Sequence, residues 1–269
     1  MTVGRGHSHS HPHGAAHHSG RDHDHDHEHD LDHEHDREFA QVEVLSSADG
    51  ERTVELQQKV LAKNDQLAAV NREWLRGRGI LAVNLMSSPG AGKTTLLERT
   101  ARDLSDRIAI SVVEGDQETA LDASRMLRAG SKVVQINTGA GCHLDAEMVS
   151  RALRSLDPAA GSIVMIENVG NLVCPALFDL GEQARVVLAS TTEGADKPLK
   201  YPHMFRQADL VLLNKIDLLP YIDFDVREYA SGLRKVTPDA LLLQVSATTG
   251  DGMDAWYDWL RRRTPVPPD

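Results

Sequence analysis

Beyond Gly79 the chain repeats one pattern: a short apolar run, a stretch long enough for a helix, then another run. The runs are ILAVNLM (80–86), IAISVVE (108–114), KVVQIN (132–137), SIVMIE (162–167), ARVVLAS (184–190), DLVLLN (209–214) and ALLLQVS (240–246). Strands this continuously apolar have no face to offer to water, so both faces must be covered. The pattern predicts an α/β fold with a mostly parallel sheet flanked by helices on both faces. Ligands of such sheets sit beyond the carboxyl ends of the strands. The residues just after each run are therefore the ones to read for function.

After the first run comes SSPGAGKTT, residues 87–95, opening a helix expected to begin near Lys93. Gly90 and Gly92 admit backbone conformations that other residues resist. Successive amide N–H groups over Gly90, Ala91, Gly92, Lys93, Thr94 and Thr95 can then surround phosphates at a helix N-terminus. Lys93 is expected to reach the β- and γ-phosphates, and the Thr94 hydroxyl to ligate Mg²⁺. The general motif has Gly where this chain has Ser87, so the strict pattern fails at one position. The strand before and the helix after still predict a P-loop NTPase.

The base is read at two later strand ends. NKID, residues 214–217, follows DLVLLN. Asp217 would accept hydrogen bonds from guanine N1–H and the exocyclic amine, whereas adenine has no donor at N1. A carboxylate left buried and unpaired by the wrong base discriminates by about 10⁴–10⁵. Asn214 is expected to brace the loop and the Lys215 stem to lie along the base. SAT, residues 246–248, brings Ser246 to the nucleotide and lets a backbone N–H near Ala247 donate to guanine O6. GTP is therefore the expected nucleotide, and a P-loop kinase acting on a small molecule is disfavoured.

Two further strand ends carry acids, in EGD (114–116) and ENVGN (167–171). Asp116 and Glu167 are the candidates to hold Mg²⁺ directly or through water, since this hard ion takes oxygen ligands. The competing reading is that they cap helix starts. Gly170 is placed to offer an N–H to the γ-phosphate, so residues 168–174 should respond to the third phosphate. Lys93, Asp116 and Glu167 form the expected catalytic set. No residue stands out as an arginine finger or a water-orienting base, so hydrolysis of GTP to GDP and phosphate should be slow and regulatory.

Composition is uneven along the 269 residues. Twelve of the fourteen histidines lie between His7 and His35, as His7, His9, His11, His13, His17, His18, His23, His25, His27, His29, His33 and His35. Residues 1–38 hold almost no apolar side chains and cannot offset the entropy of ordering, so they should form a disordered tail. A helical segment is expected over 39–78, with Val54, Val60, Leu61, Leu67, Ala68 and Leu75 near helical spacing. The P-loop domain follows at 79–263, and 264–269 should be a flexible end. The net charge is −11, with −6 already reached by residue 38. Without a basic face the chain gains little from polyphosphate, so nucleic acid is excluded as a partner. Arg261, Arg262 and Arg263 close a predicted helix, where cations meet the C-terminal dipole. No apolar run approaches the ~20 residues of a membrane span and no apolar leader is visible, so a cytoplasmic protein with no membrane partner is expected.

In a reducing compartment the two cysteines, Cys142 and Cys174, should be thiols or metal ligands. Cys142 and His143 follow the third run in NTGAGCHL, and Cys174 lies just beyond ENVGN. Thiolate and imidazole suit Ni²⁺ and Zn²⁺. A buried cysteine beside a helix-capping histidine is the commoner arrangement and stays open on these residues alone.

The run SSPGAGKTTLL, EGDQET, NTGAGCHL, IENVGNLVCP and NKIDLLPY, in that order over roughly residues 50–263, resembles the HypB family of nickel-inserting GTPases of [NiFe]-hydrogenase maturation. The resemblance implies that Cys142, His143 and Cys174 form a metal site at a GTP- or metal-dependent homodimer interface. It also implies a HypA-like metallochaperone and the hydrogenase large-subunit precursor as partners. No cysteine precedes residue 142, so the cysteine-rich N-terminal nickel site of some relatives is missing here. The tail resembles the His-rich kind instead. Its imidazoles, near their unperturbed pKa and interleaved with carboxylates, would buffer nickel beside the GTPase. A UreG-like urease factor and a nickel-storage protein with an incidental GTPase are the competing readings; UreG carries Cys-Pro-His where this chain has Gly141-Cys142-His143.

Overall fold

The computed structural model describes residues 47–116, 121–139, 141 and 143–265, with side chains described from residue 58 onward except at 116 and 121–124. The expectations for the tail over 1–38, for residues 39–46 and for the last four residues fall outside this set. Seven strands, β1 (Leu81–Ser87), β2 (Ile110–Asp116), β3 (Lys132–Asn137), β4 (Ile163–Glu167), β5 (Ala184–Ser190), β6 (Leu210–Asn214) and β7 (Leu241–Gln244), form one sheet. Their order is β3-β2-β4-β1-β5-β6-β7, and every pairing is parallel. The chain leaves β1 for one side of the sheet and later returns to place β5 on the other, so the strand order reverses at β1. A crevice opens at its carboxyl end, which is where the phosphate loop begins.

Alternate residues of the strands feed two helical layers. Leu81, Val83 and Leu85 pack under α2 (Lys93–Leu104) and α8 (Met253–Arg263), against Leu97, Trp256 and Leu260. On the opposite face Ala82, Val164 and Ile166 meet α1 (Ser47–Gly77) and α4 (Ala146–Leu156) through Leu75, Val149 and Leu153. Farther along that face Val187 and Val211 meet Phe205 of α6 (Pro202–Arg206) and Leu233 of α7 (Val226–Val236). Helices α3 (Leu121–Arg128) and α5 (Lys197–Lys200) complete the set. Arg261, Arg262 and Arg263 occupy the last turn of α8, and Arg263 lies 4.6 Å over the Trp259 ring.

The segment before β1 is a single helix, and its inward stripe differs from the apolar one predicted. Asn64, Ala68, Asn71 and Leu75 are buried, while Leu61 and Leu67 are half-buried and Val60 is exposed. Two asparagines take inward positions because they bond to backbone groups of the domain. Asn71 Nδ2 donates to Ala146 O at 2.8 Å and Leu180 O at 3.0 Å, and Asn64 Oδ1 accepts Ala146 N–H at 2.9 Å. Among the described residues no helix is long and apolar enough to cross a membrane.

Candidate functional site

The loop from Ser87 to Lys93 turns sharply, with φ of +74° at Gly90 and +98° at Gly92. A Cβ on Gly92 would stand 2.7 Å from Asn214 Nδ2, so only glycine lets the phosphate loop lie against the base loop. The departure at Ser87 has a structural use: its hydroxyl accepts from Lys93 Nζ at 2.8 Å and donates to Ser88 O at 2.6 Å. Thr94 Oγ1 donates to Glu167 Oε1 at 3.0 Å. Gly90, Gly92, Lys93, Thr94 and Glu167, with Thr95, Glu114, Arg125, Asn168 and Gly170, line a cleft of about 480 Å³. That is the volume range of small-ligand sites.

Glu114 and Glu167 are register partners on β2 and β4 and are 2% and 6% exposed. Two carboxylates largely withdrawn from water, together with the Thr94 hydroxyl that bonds one of them, Glu167, are a hard oxygen donor set that fits Mg²⁺. Glu114 was not singled out from sequence, although it stands in the same EGD as Asp116. Asp116 ends β2 opposite Asn137, and its side chain is outside the described residues. Arg125, which no motif marks, also lines the cleft. Its guanidinium bonds Glu98 Oε2 at 3.0 and 2.7 Å and Thr95 Oγ1 at 3.4 Å. Gly170 brings its backbone onto the phosphate loop, because a Cβ there would meet Pro89 at 3.2 Å.

At the base end, Asn214 Nδ2 donates to Ala91 O at 2.9 Å and its Oδ1 accepts Ala247 N–H at 3.1 Å. The brace predicted for Asn214 is therefore made between the phosphate loop and the SAT loop. It engages the Ala247 N–H that sequence reasoning aimed at guanine O6. Lys215, at φ +63°, reaches back to Gly90 O at 2.8 Å. Asp217 Oδ1 accepts from Ser246 Oγ at 2.6 Å, which orients the carboxylate expected to read guanine.

The two loops with candidate metal ligands approach each other through aromatic stacking. His143 is half-buried, and its ring lies 3.9 Å from that of Phe178 at 20°. Burial holds its pKa below the usual value, partly opposed by Asp145, which favours the neutral imidazole that metals bind. The helix-capping reading of His143 fails, because Asp145 caps α4 by accepting Met148 N–H at 2.7 Å. Cys174 opens a 3-10 turn, Cys174–Leu177, that leads directly into Phe178. Cys142 lies outside the described residues. Among the described residues no three ligating side chains cluster.

A parallel sheet with this cleft at the end of its central strand is the framework of a P-loop GTPase. Residues 81–244 match the model of the CobW/HypB/UreG nucleotide-binding domain. The chain belongs to this family, and within it to the HypB hydrogenase maturation factors. It is 55% identical over 210 residues to hydrogenase maturation factor HypB of Rhizobium leguminosarum bv. viciae, covering 78% of this chain and 70% of that protein. Its identity to the same factor of Escherichia coli (strain K12) is 52% over 209 residues, covering 78% and 72%. The fold is similar to the crystal structure of HypB from Archaeoglobus fulgidus, with TM-score 0.71, 42% identity and coverage of 75% and 98%. HypB from Helicobacter pylori, solved in complex with nickel, gives TM-score 0.70, 38% identity and coverage of 77% and 99%.

Proposed function

We propose that this GTPase handles nickel during [NiFe]-hydrogenase maturation, and that GTP state sets the geometry of a Cys142, His143 and Cys174 metal site. The reading rests on one stretch of chain. It starts at Glu167 against Thr94, crosses Gly170 against Pro89 and ends at Cys174, one 3-10 turn before the Phe178 on which His143 stacks. A change at the γ-phosphate has a short covalent path to a metal ligand.

In this reading the amides from Gly90 to Thr95 cradle the phosphates, Lys93 leaves Ser87 for the β- and γ-phosphates, and the Gly170 N–H senses the third phosphate. Thr94, Glu167 and Asp116, with Glu114 beside them, would hold Mg²⁺, which when bound neutralises phosphate charge. Asp217, set by Ser246, accepts from guanine, with the Lys215 stem along the base. Nickel is the cargo, and Zn²⁺ would satisfy the same thiolate and imidazole ligands. The tail of residues 1–38 buffers nickel for the GTPase domain of residues 79–263. A homodimer favoured by GTP or metal, a HypA-like donor and the hydrogenase large-subunit precursor complete the proposed cytoplasmic cycle.

The test is the Ni²⁺–thiolate charge-transfer absorbance, which a tail without cysteine cannot produce. Titrated in the full chain with GDP and with a non-hydrolysable GTP analogue, it should report affinities that differ about tenfold, or ~1.4 kcal/mol, within the usual range of coupling. Equal affinities would defeat the proposal.

A further inference from the structure

Asn168 follows Glu167 and is 1% exposed. Its backbone N–H donates to Leu85 O at 3.0 Å, which ties it to the strand that feeds the phosphate loop. Its side-chain Oδ1 accepts two backbone N–H groups, from Val169 at 3.0 Å and from Leu144 at 3.3 Å. Val169 leads to Gly170 and Cys174; Leu144 follows His143. A single amide oxygen is thus shared by the loop that would sense the γ-phosphate and the loop that carries a candidate metal ligand.

The orientation of that amide is set from below. Asn168 Nδ2 donates to Asn84 Oδ1 at 3.2 Å, and Asn84 Nδ2 donates to Glu182 Oε1 at 3.3 Å. Glu182 is held by Leu180 N–H at 2.7 Å and Arg185 Nε at 2.6 Å. Buried networks of this kind rigidify only when every member is satisfied. Leu144 is seated just as firmly: a Cβ on Gly115 would lie 2.9 Å from its Cγ, so it rests on the bare backbone of β2 next to Glu114. A displacement of the Asn168–Val169 segment therefore alters the acceptor to which Leu144 N–H is bonded.

We infer that Asn168 is the positioning residue that transmits the nucleotide state to the His143 loop, acting in parallel with the covalent path to Cys174. The inference rests on the coupling proposed above. When the segment after Glu167 moves with the γ-phosphate, Oδ1 carries the Leu144 N–H, and the neighbouring imidazole moves with it.

Ni²⁺ affinity of the full chain, read from the thiolate absorbance with GDP and with the GTP analogue, separates the two ideas. Compared at saturating nucleotide, Asn168→Ala should reduce the Ni²⁺ affinity ratio to within about twofold. A coupled wild type with an unchanged ratio in Asn168→Ala would overturn the relay alone. An uncoupled wild type would overturn the coupling and the relay together. Since a buried asparagine can be needed for folding, amide hydrogen exchange in the unaltered protein gives a second reading. Protection at Leu144 and Val169 should change together between the two nucleotide states, and a change at Val169 alone refutes the relay.

Discussion

Alanine at Gly92 should damage the nucleotide site more than alanine at Gly90, and the difference measures the brace made by Asn214. Both glycines hold positive φ, +98° and +74°, where an L side chain costs about 1–2 kcal/mol. They differ in what a methyl group would meet: nothing within 4 Å at Gly90, Asn214 Nδ2 at 2.7 Å at Gly92. Asn214 is 2% exposed, and displacing it forfeits its bonds to Ala91 O and from Ala247 N–H. Each is worth about 0.5–1.5 kcal/mol net. Gly92→Ala should therefore be about 1–3 kcal/mol less stable than Gly90→Ala in the nucleotide-free protein. Urea unfolding of both variants measures that gap. Because the same displacement parts the phosphate loop from the base loop, GDP affinity of Gly92→Ala should fall at least about tenfold, which fluorescent-nucleotide titration reads. Equal unfolding free energies would show that the contact with Asn214 carries no energy and that the brace is incidental.

Arg125→Ala should slow single-turnover GTP hydrolysis on the order of 10²-fold, the usual effect of losing one preorganised donor near developing charge. Unaltered hydrolysis would reduce Arg125 to a tether for Glu98. Deleting residues 1–38 should lower the number of Ni²⁺ ions bound per chain at equilibrium dialysis and leave GTP hydrolysis unchanged; an unchanged stoichiometry rules out the buffer. Asp179 contributes to the acid side of stability. Burial raises its pKa, but the bonds from Arg72 and Gly181 N–H and the nearby Arg72 and Arg185 charges outweigh this and hold it below its ordinary value. The stability it contributes is full above that ordinary value and is lost as pH falls through the lowered one. Arg72→Ala should then flatten the decline of unfolding free energy below about pH 4. The same decline in both proteins would contradict the assignment.

The parts of this molecule that could be read before any coordinates were those whose chemistry forces a residue type at a fixed spacing. Parallel strands buried on both faces have to be apolar, so seven runs announced the sheet. Close approach of the phosphate loop to the NKID loop demands glycine at 92, and the brace expected of Asn214 is made between Ala91 and Ala247. The links between loops carry no such signature. Hydrophobic periodicity assigned Val60 to the inner face of α1, yet it is 57% exposed, while Asn64 and Asn71 face inward. Sequence placed Asn168 only in a segment expected to respond to the third phosphate and did not find that its oxygen joins two loops far apart in the chain. The physical reason is common to all three asparagines. Apolar contacts tolerate sliding, whereas hydrogen bonds fix distance and direction. Loops whose ligands must converge on one ion within a few tenths of an ångström need the second kind. Asn64 and Asn71 hold Ala146, just beyond His143, and Asn71 also holds Leu180, just beyond Phe178, while Asn168 holds Leu144 from the nucleotide side. Just after His143 the chain is thus held by amides from two separate elements, Asn168 at Leu144 and Asn64 and Asn71 of α1 at Ala146, a fixing of distance and direction that apolar contacts would not supply.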